Sequence, residues 1–244
     1  MNRAVIIGAS SGMGLEVSKL LLADGWDIGA AARRMDELEK LKAMSPEHVE
    51  IECIDVTADD ADRRLTALIA RMGGMNLFFL ASGIGKQNAD LEMESELKTV
   101  ETNALGFTRM VDTAFHYFSE NCGGHIVVIS SIAGTKGLGV APSYSATKAF
   151  QNTYIEALEQ LSVMRHLSIR FTDIRPGFVG TALLADGHRY PMLMKPDYVA
   201  RKIVKAIYSY KHVVVIDGRY RILTALWRLI PRSLWRNLSV KTKG

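Results

Sequence analysis

The 244-residue chain is 48% hydrophobic and 23% charged, long enough for one generous core and short for two domains. No stretch approaches the roughly 18 apolar residues of a membrane-spanning helix. Cys53 and Cys122 lie far apart with neither disulfide-framework nor metal spacing, and both are expected to be small buried hydrophobes. The net charge of +4 conceals a split: from Gly218 onward there are seven basic residues (Arg219, Arg221, Arg228, Arg232, Arg236, Lys241 and Lys243) and no acid, which leaves the first 217 residues at −3. That distribution speaks against nucleic acid binding by the main body.

In chain order, short apolar runs alternate with longer amphipathic stretches. The opening "MNRAVIIGASSG" runs into a strand pattern with no apolar leader, so export is not expected and a cytoplasmic location is the default. "RAVIIGA" predicts a buried strand and "GLEVSKLLLADG" a helix closed by Gly25. Strand "DIGAAAR", helix "RMDELEKLKAM", strand "VEIECIDV", helix "DADRRLTALIARMG" and strand "NLFFLAS" follow. A long helical region from about residue 95 to 119 leads to strand "GHIVVISS", a helix over 144–164, strand "LSIRFTDI", a helix over 196–210 and strand "HVVVID". Buried strands regularly separated by helices predict an α/β doubly wound, mostly parallel sheet of about seven strands, with helices on both faces and a single domain over residues 1–217. Such sheets bind ligands beyond the carboxyl ends of their strands.

The first strand ends in "GASSGMG". Gly8 permits the tight turn, Gly12 lets a pyrophosphate approach backbone amides at the helix N-terminus, and Gly14 permits close packing of helix on sheet; Ser10, Ser11 and Met13 complete the loop. At the end of the second strand an acid would hold the adenosine ribose through its 2′-hydroxyl, whereas arginine pairs with a 2′-phosphate. Here the strand ends in Ala32, Arg33 and Arg34 with no carboxylate until Asp36, which favours NADP over NAD unless the two arginines merely open a solvated helix. After the third strand, Asp55 and Val56 stand beside the expected adenine site. The Asp55 carboxylate is suited equally to accept from an exocyclic amine or to cap a helix.

In "YSATK", Tyr144 and Lys148 are four apart on one helical face, and Ser131 closes a strand thirteen residues upstream of Tyr144. A free phenol, with a pKa of about 10, is a poor proton carrier at neutral pH. A neighbouring ammonium and a cationic nicotinamide favour the phenolate and bring such a group within range of acid and base work.

Together these residues resemble the short-chain dehydrogenase/reductase family, over essentially residues 3–217. The family's glycine loop matches Gly8, Ser10, Gly12 and Gly14, its adenine-side aspartate Asp55, and its helix asparagine Asn103 in "ETNALG". Its catalytic serine, tyrosine and lysine match Ser131, Tyr144 and Lys148, and its Pro-Gly turn matches Pro176 and Gly177, followed by Val179 and Thr181. The resemblance implies a Rossmann-type fold, a nicotinamide cofactor, no metal, and hydride transfer between NADP(H) and a carbonyl or alcohol carbon. In that scheme Tyr144 exchanges the proton and Ser131 holds the substrate oxygen. Lys148 lowers the tyrosine pKa and binds the nicotinamide ribose, and Asn103 anchors a relay water. The resemblance also implies a homodimer through the helices around Asn103 and Tyr144, or a homotetramer that adds the last strand. A non-catalytic NADP-binding regulator is the alternative, since fold alone does not imply activity; a pure sensor would not need Asn103, Ser131, Tyr144 and Lys148 together. The chain is too short for the C-terminal substrate domain of the extended dehydratases and epimerases. One departure stands after the fourth strand, where the family's Asn-Ala-Gly is Ala81, Ser82 and Gly83. The lost asparagine side chain removes a tie between neighbouring strands, while Gly83 and Gly85 still let the backbone approach the cofactor.

Leu138, Leu183, Leu184, Tyr190, Met192 and Met194 make the segments before Tyr144 and after Pro176 apolar, as expected either for a lid over a greasy small-molecule substrate or for side chains that pack those segments on the domain. His188 and the other five histidines show no ligand spacing and are expected to be surface or packing residues. The extension 218–244 repeats Ile222, Leu223, Leu226, Leu229 and Ile230 at helical spacing beside arginines, with Pro231 breaking that helix or starting a second that carries Leu234, Trp235 and Leu238. A basic amphipathic segment with tryptophans over 219–243 fits a peripheral contact with the inner face of a membrane; folding back on the domain, or packing on a second subunit, fits it too.

Overall fold

The computed structural model describes residues 2–184 and 190–240, apart from the side chain of Leu183; His188, Lys241 and Lys243 lie outside the described residues. Seven parallel strands among them form one sheet in the order β3-β2-β1-β4-β5-β6-β7. They are β1 (Arg3–Ile7), β2 (Asp27–Ala32), β3 (Val49–Cys53), β4 (Leu77–Leu80), β5 (Gly124–Ile129), β6 (Ile169–Arg175) and β7 (Val213–Val215). The order reverses direction between β1 and β4, whose register pairs Ala4 with Leu77 and Ile7 with Leu80. A cleft opens at such a reversal because the crossovers on either side leave in opposite directions.

The central strands are apolar at consecutive positions because both their faces are covered, and the period-2 alternation of strand side chains divides them between two cores. Ile6, Phe79 and Val127 pack with α1 (Gly12–Ala23), α2 (Met35–Met44) and α7 (Pro196–Tyr208). Val5, Ile7, Phe78 and Val128 face the other way, onto α3 (Ala61–Arg71), α5 (Phe107–Glu120) and α6 (Pro142–Met164).

Two sequence expectations change. The long helical region is α4 (Met93–Val100), a π-helical segment Glu101–Gly106, and then α5. Cys53 and Cys122 are exposed rather than buried. Cys53 ends β3 at the sheet edge, and Cys122 sits at positive φ (63°) in the turn before β5; position, not the thiol's apolar character, sets their exposure. His125, in contrast, is buried, with Nε2 2.8 Å from the Thr172 hydroxyl.

Of the arrangements open to the C-terminal extension, the described residues fold back on the domain. Helix α8 (Gly218–Leu229) sends the wholly buried Tyr220 into the core. Pro231 ends that helix and opens α9 (Arg232–Trp235). Trp235 Nε1 donates to the Gly137 carbonyl at 2.7 Å, and Lys136 Nζ donates to the Ile230 carbonyl at 2.9 Å. No helix of the described residues is long and apolar enough to cross a membrane.

Burial, with the charge of Arg170 as a smaller contribution, lowers the pKa of His125 from 6.5 to about 4. Unfolding therefore takes up a proton between those values, so stability is intact above pH 6.5 and is lost as the pH falls toward 4. Urea titrations across this range should show wild type losing up to about 3 kcal/mol more than His125→Gln; parallel losses would show that another group is responsible.

Candidate active site

Two cavities run along the carboxyl ends of the strands and share Met13, Ala81, Ser82, Gly83 and Thr181. The smaller, about 520 Å³, lies over β1, β2 and β3 and is bordered by residues 10–14, Arg33, Arg34, Asp55 and Val56. The larger, about 750 Å³, lies over β5 and β6 and contains Ser131, Tyr144, Lys148, Pro176, Gly177 and Val179. The sequence-derived candidates thus fall along one two-lobed cleft, except Asn103, which lies beneath it.

The smaller lobe has the backbone shape and charges of a nucleotide site. Gly8 has φ +91°, and a Cβ there would stand 2.8 Å from the Ser82 amide nitrogen; a Cβ on Gly14 would stand 2.2 Å from the Gly8 carbonyl oxygen. These side-chain-free positions are what allow β1, α1 and the end of β4 to close round the loop. Ser11, the N-cap of α1, is extended and makes no side-chain cap hydrogen bond, which suits first-turn amides that are to meet phosphate. Arg34 Nη2 donates to Ser10 Oγ at 3.1 Å, placing a guanidinium against the loop. Asp55 Oδ1 accepts from the Thr57 amide at 3.0 Å and hydroxyl at 2.8 Å, so the carboxylate caps a turn while bordering the lobe. Burial works against its charge, but these two bonds, with Arg33 and Lys98, hold its pKa below the ordinary value.

The larger lobe is built on β5 and α6. Ser131 follows β5, and its Oγ accepts from the Ala133 amide at 3.1 Å, which fixes the hydroxyl toward the cleft side of a short 3₁₀ turn. Helix α6 opens with Pro142 in its first turn, and a Glu96 carboxylate oxygen from α4 accepts from the Ser143 amide at 3.0 Å. Tyr144 follows at once, half-buried, and borders the same lobe as Ser131, whose hydroxyl is near enough to influence its phenol. Its ring lies over Gly85, where a Cβ would come within 2.4 Å of it. One turn on, the buried Lys148 has Nζ 5.8 Å from the Tyr144 ring centroid and donates to the Ile129 carbonyl at 3.0 Å.

Burial lowers the Lys148 pKa to about 8, opposed by the charge of Asp173. Burial pushes the Tyr144 phenol up, against the nearby Ser131 hydroxyl, which draws it down. The lowering expected from Lys148 therefore does not come from these side chains by themselves. Asn103 sits in the π segment, wholly buried, with its amide pinning Ile84: Nδ2 donates to the Ile84 carbonyl at 2.6 Å and Oδ1 accepts from the Ile84 amide at 2.9 Å.

The sequence matches the short chain dehydrogenase family over residues 2–189. The chain belongs to this family. A Myxococcus xanthus protein described as an uncharacterized oxidoreductase is 32% identical over 242 residues, covering 95% of this chain and 94% of its own length. An alcohol dehydrogenase from Thermococcus sibiricus complexed with 5-hydroxy-NADP matches with a TM-score of 0.77 at 22% identity, over 90% of this chain and 97% of that one. ElxO with NADP bound matches with a TM-score of 0.79 at 20% identity, over 91% and 99%. The two solved structures show likeness of fold alone; the family assignment makes the protein an oxidoreductase with a nucleotide-binding site.

Within this short chain dehydrogenase, several contributors carry no motif. Gln151, 1% exposed, accepts from Lys148 Nζ at 2.9 Å through Oε1 and donates through Nε2 to the Asn103 carbonyl at 2.8 Å. It thus takes up one acceptor position of the Asn103 backbone carbonyl. Its one signal in the sequence is a polar residue three after Lys148 on a helix face that is otherwise buried. Asn152, with its amide nitrogen turned inward, donates to Ser130 Oγ at 2.8 Å and Asp173 Oδ2 at 3.1 Å. Asp173 also accepts from Ser130 and, at 2.7 Å, from Arg175 Nε. This buried network joins β5, β6 and α6 under the site. At the departure from the family pattern, the Ala81 amide donates to the Ile7 carbonyl at 2.8 Å, so backbone pairing holds β1 to β4 there.

Gln151→Leu removes an acceptor from a buried ammonium and should depress the Lys148 pKa further below about 8. NMR titration of the ¹⁵N-labelled lysine side chain reads this directly, and an unchanged midpoint would show that the bridge does not support the charge.

Proposed function

We propose that this protein is an NADP(H)-dependent oxidoreductase that interconverts a carbonyl and an alcohol on an apolar, lipid-like small molecule, with Ser131, Tyr144 and Lys148 as catalytic residues. The observation that carries the reading is that Ser131, Tyr144 and the buried Lys148 line one lobe, next to the lobe bordered by the glycine loop, Arg33 and Arg34. A bound nicotinamide supplies or accepts the hydride. In the reducing direction Ser131 donates a hydrogen bond to the substrate oxygen as charge develops on it. Tyr144 gives that oxygen its proton, and the Lys148 ammonium stabilises the phenolate left behind. In oxidation the proton returns to Tyr144. Asn103 acts through Ile84 and Gln151, holding the cleft wall and the lysine in place.

The preference for NADP rests on Arg33 and Arg34 at the far end of the smaller lobe, where a 2′-phosphate would meet two guanidinium groups. An apolar substrate is supported by Leu138, Val140, Phe178, Met192, Leu223 and Trp227 around the larger lobe. Of the residues expected to form the lid, Leu138, Leu184, Tyr190 and Met192 border that cavity, whereas Met194 is packed in the core. A homo-oligomer through α4, the π segment and α6 is supported by the exposed Leu97, Val100, Leu105 and Phe150.

Tyr144→Phe should lower turnover by about 10³-fold while the NADPH dissociation constant stays within about threefold of wild type; substantial remaining turnover would refute the role. Arg33→Ala should weaken NADPH about tenfold or more and leave NADH unaffected in fluorescence titrations. Equal weakening of both cofactors would remove the 2′-phosphate contact.

A further inference from the structure

The C-terminal helices have two unlike faces. Inward, Tyr220, Leu223 and Trp227 border the large cavity. Outward, Ile222, Leu226 and Leu229 form an i, i+4, i+7 stripe that is 66%, 56% and 78% exposed, and beyond Pro231 the exposed Leu234 and Leu238 follow. Arg221, Arg228, Arg232 and Arg236 are exposed on the same two helices or directly after them. None of these four makes an ion pair among the described residues, whereas Arg219 is held by Asp217 at 2.8 Å. Between residues 218 and 240 there is no acid.

The face is braced rather than frayed. Tyr220 donates to the Pro191 carbonyl at 2.9 Å, Trp227 and Trp235 meet edge to face at 5.4 Å, and the Lys136 and Trp235 bonds described above fasten the turn between the helices. Five large apolar side chains are thus held in water next to four unneutralised arginines.

We propose that the outer face of α8 and α9 docks on an anionic lipid surface, with the leucines entering the headgroup boundary and the arginines on lipid phosphates. Charge complementarity selects this occupant: the first 217 residues carry −3, so the basic extension is the part of the molecule that such a surface attracts. A second copy on a two-fold axis would set the same arginines against themselves with no acid to neutralise them. One helix then borders both the lipid surface and the cavity, which places the lobe proposed for an apolar substrate beside the membrane. That consequence rests on the oxidoreductase reading; the docking surface does not.

The test is co-sedimentation of the full chain with vesicles of phosphatidylcholine alone and of phosphatidylcholine mixed with phosphatidylglycerol, with NADPH binding measured on the same samples. The protein should pellet with the mixed vesicles, less so as salt is raised. Leu226→Asp with Leu229→Asp should reduce partitioning about tenfold or more while NADPH binding is unchanged, since neither leucine borders the cleft. Arg228→Gln with Arg232→Gln, which leaves the apolar stripe intact, should weaken binding to the mixed vesicles. No partitioning of wild type, or equal partitioning of wild type and the aspartate variant, overturns the proposal. So does self-association abolished by that variant in sedimentation velocity without vesicle binding. Vesicle binding without NADPH binding would keep the docking surface and count against the oxidoreductase reading.

Discussion

An ammonium at the floor of an apolar cleft must be given acceptors or surrender its proton. Lys148 obtains them from two places, the Ile129 carbonyl where β5 ends and the Gln151 amide one turn along α6. Through Gln151 the same chain of bonds reaches Asn103 in the π segment, and through Asn103 it reaches Ile84 beside the nucleotide lobe. The end of β5, the start of α6 and the loop after β4 are therefore linked by one chain of hydrogen bonds. A pKa lowered to about 8 shows that burial still outweighs the help of Asp173. A buried charge is weak support for a fold, and an apolar side chain of similar volume often serves stability as well or better. In the reading proposed here the charge is retained for the reaction.

The same economy of contacts joins the C-terminal helices to the site. A Cβ on Gly177 would lie 2.2 Å from the Tyr220 ring, and the Tyr220 hydroxyl accepts from the Phe178 amide at 3.2 Å. The turn that lines the substrate lobe is thus seated directly on the extension. The boundary drawn at residue 217 in the sequence falls between the last strand and α8, yet the core continues across it through Tyr220. The extension forms part of the cavity wall while its opposite face meets solvent.

The sheet was legible because buried strands, glycine loops and helix stops recur with their own periods, and each strand in the structure overlaps an apolar run quoted from the sequence. The two lobes were legible because Gly8, Arg33, Ser131 and Tyr144 all stand near strand ends, which a parallel sheet gathers on one edge. What escaped reading depends on geometry rather than on residue type. A π segment over Glu101–Gly106 differs from an α-helix by one residue per hydrogen bond, too little to disturb the apolar pattern of a long helical stretch. The exposure of Cys53 follows from the end of an edge strand, which composition does not mark. An amphipathic pattern such as 218–229 announces that something covers one face, but the partner of Tyr220 becomes visible only when Gly177 is brought beneath it. Gln151 reads as an ordinary helix residue until its neighbours across the turn are known.

In the proposed reading, Lys148 is buried for chemistry and not for folding. Lys148→Met tests it most directly, with thermal unfolding and NADPH-dependent turnover measured on one preparation. The expected result is a protein that still folds, with a melting temperature lowered by several degrees because the Ile129 carbonyl and the Gln151 amide lose a buried donor, and turnover lowered by about 100-fold or more. Near wild-type turnover, or a collapse of stability with the activity of the folded fraction retained, would contradict it.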